Sequence, residues 1–103
     1  MIDVYVCEPY DKQYVKSIEN ELKAFQQVVE GEIEIISLGK YVIVCDEEAK
    51  LKQKRPSIHM DVDFIAGISF FAKTEDDQFV TLDDSDIENI KRYMKGESIS
   101  VIA

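Results

Sequence analysis

The stretch EIEIISLGKYVIVC, residues 32–45, decides how this chain is read. Glu32 and Glu34 alternate with Ile33 and Ile35, and the run then turns apolar up to Leu38, the pattern of a strand with one face in a core. Gly39 and Lys40 form a tight connection. Tyr41 to Cys45 is a second run of β-branched and aromatic residues, which suit a pleated, buried surface. Two such runs joined by two residues predict an antiparallel hairpin. A hairpin alone is marginal in water, so the rest of the chain is read for its sheet partners and for what covers the faces.

Upstream, IDVYVC (residues 2–7) predicts another strand, ended by Glu8-Pro9 because proline cannot donate to a ladder. A helix is expected over 11–29. Val15, Ile18, Leu22, Phe25 and Val29 recur at spacings of three and four, one helical face, with Gly31 as its C-terminal stop. Downstream, residues 46–63 show no strong period and hold Pro56. They are expected to be a long surface loop, the default place for function. FIAGISFFA (residues 64–72) predicts a strand in which Gly67 marks a bulge or a close backbone approach. TEDDQ is a turn and FVTL a short strand.

Asp83 is expected to cap a second helix running from Asp84 to about Lys95. Asp84, Asp86 and Glu88 near its start and Lys91, Arg92 and Lys95 near its end suit the helix dipole. Ile87, Ile90 and Met94 are its inward face. The tail, residues 96–103, is apolar and reads as an edge strand or as a contact with a second copy. The predicted architecture is a single α+β domain over 1–103 in the order β-α-β-β-β-β-α, a mostly antiparallel sheet with two helices.

With 103 residues and 46% apolar composition, the chain can bury one core. Twelve basic against twenty-one acidic residues give a net charge of -9. That disfavours direct nucleic-acid binding, which needs a basic surface, and docking on an anionic membrane. It favours solubility and is compatible with a basic partner or with a surface that imitates nucleic acid. The N-terminus lacks the basic start and long apolar core of a signal peptide, and no apolar run approaches a membrane span. A cytoplasmic protein is expected, with Cys7 and Cys45 reduced and buried inside their strands.

Chemical signatures are sparse. His59 is the single histidine, and neither cysteine lies in a nucleophile turn, so no catalytic constellation is visible and no enzyme is expected. Asp46, Glu47 and Glu48 with Asp61 and Asp63 do not match a calcium loop, and a solvated acidic turn is the better reading. No cofactor signature, neither GxGxxG nor GxxxxGK[ST], is present. Two acidic groups, Glu75 to Asp77 and Asp83 to Asp86, flank one short strand. Joined with Asp61 and Asp63 in one negative face they would suit a nucleic-acid-binding groove, but turn formation and helix capping are sufficient local causes for the two groups.

The segment CDEEAKLKQKRP, residues 45–56, sets an acidic block against a basic one. Pairing of Glu47 with Lys50, or of Glu48 with Lys52, is expected across a turn, with the basic run displayed beyond it.

VYVCEP, the VVEGEIE segment around Gly31, the acidic turn followed by Lys50-Leu51, and the IAG of residues 65–67 together resemble a family of small bacterial and phage proteins, domain of unknown function 3846. The resemblance runs from Ile2 to about Met94. The family's acidic turn commonly reads Asn-Glu-Glu-Gly, where this chain has Asp46 and Ala49. The resemblance implies an accessory protein of a phage or mobile genetic element, and that setting suggests an inhibitor of a host defence system.

Two functions are therefore expected from different classes. One is a non-enzymatic, protein-binding inhibitor with a host protein as partner, using Glu47, Glu48, Lys50, Lys54, Arg55, Asp61 and Asp63 as contacts. The other is an oligomeric protein that sequesters a small anionic ligand such as a nucleotide signal, using Lys50, Lys54, Arg55 and Tyr41.

Overall fold

A computed structural model of the chain describes residues 1–59 and 63–96. The elements in chain order are β1 (Ile2–Glu8), β2 (Lys12–Ile18), α1 (Leu22–Val29), β3 (Ile33–Leu38), β4 (Tyr41–Asp46), β5 (Pro56–His59), β6 (Phe64–Ala66), β7 (Ser69–Glu75), β8 (Gln78–Val80) and α2 (Asp84–Met94). Strands β1, β4 and β7 carry the apolar runs and are buried on both faces, so they form the middle of the sheet. The order is β2-β1-β7-β4-β3, with β8 also paired to β7 and every described pairing antiparallel. The hairpin of residues 32–45 forms as its alternation predicts, with Leu38 opposite Tyr41.

Alternation along the central strands sorts side chains into two cores. Val4, Val6, Val42, Val44, Phe70 and Ala72 face α1 and pack with its Phe25 and Val29. Tyr5, Cys7, Tyr41, Ile43, Cys45 and Phe71 face the other way, under α2 and the small β5-β6 hairpin. The described residues thus form one α+β domain, an antiparallel sheet covered on both faces.

Three expectations change. The helix predicted over 11–29 begins only at Leu22, and residues 12–18 are an edge strand that pairs with β1 along its whole length, Ile2 opposite Ile18 and Glu8 opposite Lys12. Val15 and Ile18 lie three apart, which fits a helical face. In the strand they point to opposite sides, and Val15 is half exposed while Ile18 is buried beside Phe25. Seven cross-strand pairs outweigh the weak helix propensity of Tyr14, Val15, Ser17 and Ile18.

The strand predicted over 64–72 is broken at Gly67. Its left-handed φ of 73° carries the chain out of the β5-β6 hairpin and into β7. Its amide donates to the Arg55 carbonyl at 2.8 Å. Finally, residues 46–63 are only partly irregular, because Pro56–His59 forms β5, anchored through the buried Ser57 hydroxyl to Ser69. The tail expectation falls on residues 97–103 and lies outside the described residues.

Helix α1 ends differently from its forecast as well. The left-handed residue that closes it is Glu30 (φ 61°), whose amide returns to the Gln26 carbonyl. Gly31 follows, and its lack of a side chain serves the turn after β4. Helix α2 starts as its sequence predicts. Asp83 accepts from the Asp86 amide at 2.8 Å, and Asp86 accepts from the Asp83 amide at 2.9 Å, a reciprocal cap.

Candidate functional site

The acidic-then-basic segment after Cys45 is organised by one carboxylate. Asp46 is the last residue of β4 and its side chain is fully buried. Its Oδ1 accepts from the Glu48 amide at 3.0 Å, and its carbonyl accepts from the Ala49 amide at 3.1 Å, so the chain folds back at once. Its Oδ2 takes the ammonium groups of Lys52 and Lys54, each at 2.9 Å. Burial pushes the Asp46 carboxyl up, but the Glu48 amide and the two ammonium groups outweigh this and hold it at about 2. The expected pairs of Glu47 with Lys50 and Glu48 with Lys52 do not form. Lys50 instead meets Asp63 at 2.5 Å, with its ammonium over the Phe64 ring.

Lys54 reaches further. Its Nζ lies 3.4 Å from the carbonyls of Val29 and Glu30, so it also closes the C-terminal end of α1. Three acceptors hold it, and it is not available as a ligand's counter-charge. The aspartate at 46 supplies the negative charge that gathers both lysines.

Lys52 stays partly exposed within electrostatic reach of Glu48 and Glu32, and at this end of the sheet the acids Glu32, Glu34, Glu47 and Glu48 outnumber it. Glu47 and Glu48 are exposed, and neither side chain has a hydrogen-bond or ion-pair partner among the described residues. The Glu47 amide donates to the carbonyl of Glu32, the residue before β3, at 2.9 Å, which sets the turn beside that edge strand, near the exposed Glu32 and Glu34. Glu34, Glu47, Lys50 and Asp63 rim a recess of about 280 Å³ whose floor is Ile36, Ile65 and Ala66.

Asp63 and the clusters at 75–77 and 83–86 do not assemble into a single negative face. Tyr41 pairs with Lys73 and Val44 with Phe70, so Asp46 and Glu75 mark opposite ends of the central strands. Asp63 sits at the Asp46 end through Lys50, while Asp83 and Asp86 gather around Lys73 with Glu75. Asp61 lies outside the described residues.

At that far end Asp86 does more than cap its helix. It is buried, accepts from the Tyr41 hydroxyl at 2.7 Å and pairs with Lys73 at 2.7 Å. Asn89 donates to the same hydroxyl at 3.2 Å. Burial raises the Asp86 carboxyl, yet the Asp83 amide, Lys73 and Tyr41 hold it at about 2. Burial above all pushes Tyr41 up to about 12. Tyr41 is wholly inaccessible, so it does not join Lys54 and Arg55 in a ligand site. The sequence showed Asp86 only as an acid near the start of α2; its spacing from Asp83 is the signal, but Lys73 and Tyr41 come to it from two strands.

Cys7 and Cys45 are free, buried thiols, pushed by burial up to about 12 and about 11, which keeps them protonated and unreactive at neutral pH. Among the described residues no group of three His, Cys, Asp or Glu side chains converges as metal ligands, and no helix is long and apolar enough to cross a membrane.

An antiparallel sheet covered on both faces, with a charge-sorted turn at one end of it, defines a small α+β domain. The chain belongs to the family described as "Domain of unknown function (DUF3846)", whose model matches residues 2–95. No curated protein and no solved structure matches it significantly.

Proposed function

We propose that this is a non-enzymatic, cytoplasmic accessory protein of a phage or mobile genetic element. It binds a host protein, an inhibitor's role directed at a defence system, through the acidic surface where β3 meets the turn after β4. The observation that supports this is the sorting of charge within residues 46–55. Lys52 and Lys54 are taken up by the buried Asp46 and Lys50 by Asp63, which leaves Glu47 and Glu48 unpaired next to Glu32 and Glu34. Such a surface complements a basic partner, of the kind that otherwise holds nucleic-acid phosphates. The imitation of nucleic acid is confined to this edge, because the acids at 75–77 and 83–86 lie at the other end of the sheet.

The experiment is affinity capture from a bacterial host with the wild-type chain and with a Glu47→Lys, Glu48→Lys variant. One host protein held by the first at low salt and lost from the second supports the reading. Equal recovery on both, or none on either, removes it. The second reading, sequestration of an anionic small molecule, retains only Arg55 of its four residues as an uncommitted cation. Lys54 and Lys50 are ion-paired and Tyr41 is buried.

A further inference from the structure

The β1-β2 connection breaks a local rule. Its three residues, Pro9, Tyr10 and Asp11, carry the chain from Glu8 to Lys12, and both Tyr10 (φ 68°) and Asp11 (φ 59°) are left-handed. Asparagine or glycine fills such a position at least cost, and a bulky aromatic there is strained. The Tyr10 ring gains no burial in return, being 78% exposed. Across from it stands Arg55, its guanidinium carbon 5.3 Å from the ring centroid. Arg55 is exposed and, among the described residues, has no carboxylate partner, unlike Lys50, Lys52, Lys54 and Lys73.

The two side chains are walls of one recess of about 300 Å³, which His59 also lines together with Asp11, Pro56 and Ser57. Its base is fixed. The Arg55 carbonyl is held by the Gly67 amide at 2.8 Å, and the Ser57 hydroxyl is held by Ser69 and the Ile65 carbonyl. The recess thus combines a planar cationic fork, an imidazole and an aromatic face open on one side. A guanidinium near a ring and without a carboxylate partner has its N–H donors free for two parallel bonds to a phosphate. An exposed tyrosine face accepts a flat group. The volume lies at the small end of ligand pockets.

We propose that this recess binds a small organic phosphate monoester. The phosphate lies between Arg55 and His59, and the planar part of the ligand lies against Tyr10. Asp11 opposes the anion and limits its affinity. The site is at a different place from the acidic surface at β3 and stands or falls separately from it.

The test is a nitrogen-15 NMR titration of the whole chain with adenosine monophosphate, inorganic phosphate and adenosine as probes. Saturable shifts at Tyr10, Arg55 and His59, with the monophosphate tighter than phosphate or adenosine alone, are expected. Arg55→Gln weakens the monophosphate about tenfold or more. Tyr10→Asn, which keeps the left-handed turn, removes the advantage of the monophosphate over inorganic phosphate. Asp11→Asn tightens both. Adenosine binding as well as the monophosphate, shifts that do not saturate, or an Arg55→Gln variant indistinguishable from wild type would each overturn the proposal. The Glu47→Lys, Glu48→Lys variant retains this binding, so loss of host-protein capture and loss of ligand are separable.

Discussion

A Cβ atom on Gly31 would stand 2.5 Å from Cγ of Asp46. The residue just past the end of α1 is therefore glycine because of a carboxylate fifteen positions further along the chain. That carboxylate is buried, accepts from an amide and two ammonium groups, and has nowhere to retreat. Gly31→Ala is expected to destabilise the protein by about 1–3 kcal/mol, as overpacking of a tight site does. The check is the urea midpoint at an unchanged slope.

Gly67→Ala is expected to cost about 1–2 kcal/mol for a different reason, the left-handed backbone. Its added Cβ would meet Lys54 Cδ at 2.8 Å, the flexible part of a side chain that can shift. Gly67→Asn, which tolerates the same φ, therefore recovers part of the loss, while Gly31→Asn recovers none. Thermal melting of the four variants distinguishes a dihedral cause from a packing one.

Acid sensitivity follows from Asp46 and Asp86. Both carboxyls sit at about 2 in the folded chain, below their ordinary 3.8. A depressed folded value contributes stability above the unfolded value, and that stability is lost as pH falls through the folded one. Tm is thus expected to drop steeply between about pH 4 and pH 2. Asp46→Asn and Asp86→Asn lower Tm at neutral pH and flatten that drop. Calorimetry from pH 6 to pH 2 reads both effects; equal slopes in all three proteins would refute the assignment.

Tyr41→Phe removes a buried hydroxyl that donates to Asp86 and accepts from Asn89. The loss is expected to be about 1–3 kcal/mol, because Asp86 keeps its charge and loses a donor. In a double-mutant cycle with Asn89→Ala the two losses should not add, since both act on the same oxygen.

The sequence carries the fold where each element has its own local cause. The hairpin of residues 32–45 shows its strand period and its two-residue turn, and α2 shows its cap and dipole charges. β2 was hidden because Val15 and Ile18 sit at a spacing common to a helix face, and only pairing with β1 reveals it as a strand. β5 is four residues long and begins with proline, too short to show a period. The site was half legible. Residues 46–55 stand out as a charge block, but which lysine meets which acid depends on the depth of Asp46, and depth is a property of the finished sheet. Tyr10 gave no signal, since nothing local to Pro9-Tyr10-Asp11 says that Arg55 lies across from it.

The strand order has a consequence for how the chain acquires its shape. β1 with β2, and β3 with β4, are neighbours in sequence and can zip early, yet the two hairpins share no pairing of their own. β7 lies between β1 and β4 and pairs with both, Val6 and Val44 each lying opposite Phe70. The two halves of the sheet join only when this strand slots in, closing a loop of more than sixty residues back to β1. Such long-range closure makes folding slow for a chain this short. Until a ribosome has released β7, the nascent protein is two unconnected ribbons with their apolar inner edges open. A chain cut anywhere before Ser69 therefore lacks the piece that turns hairpins into a domain.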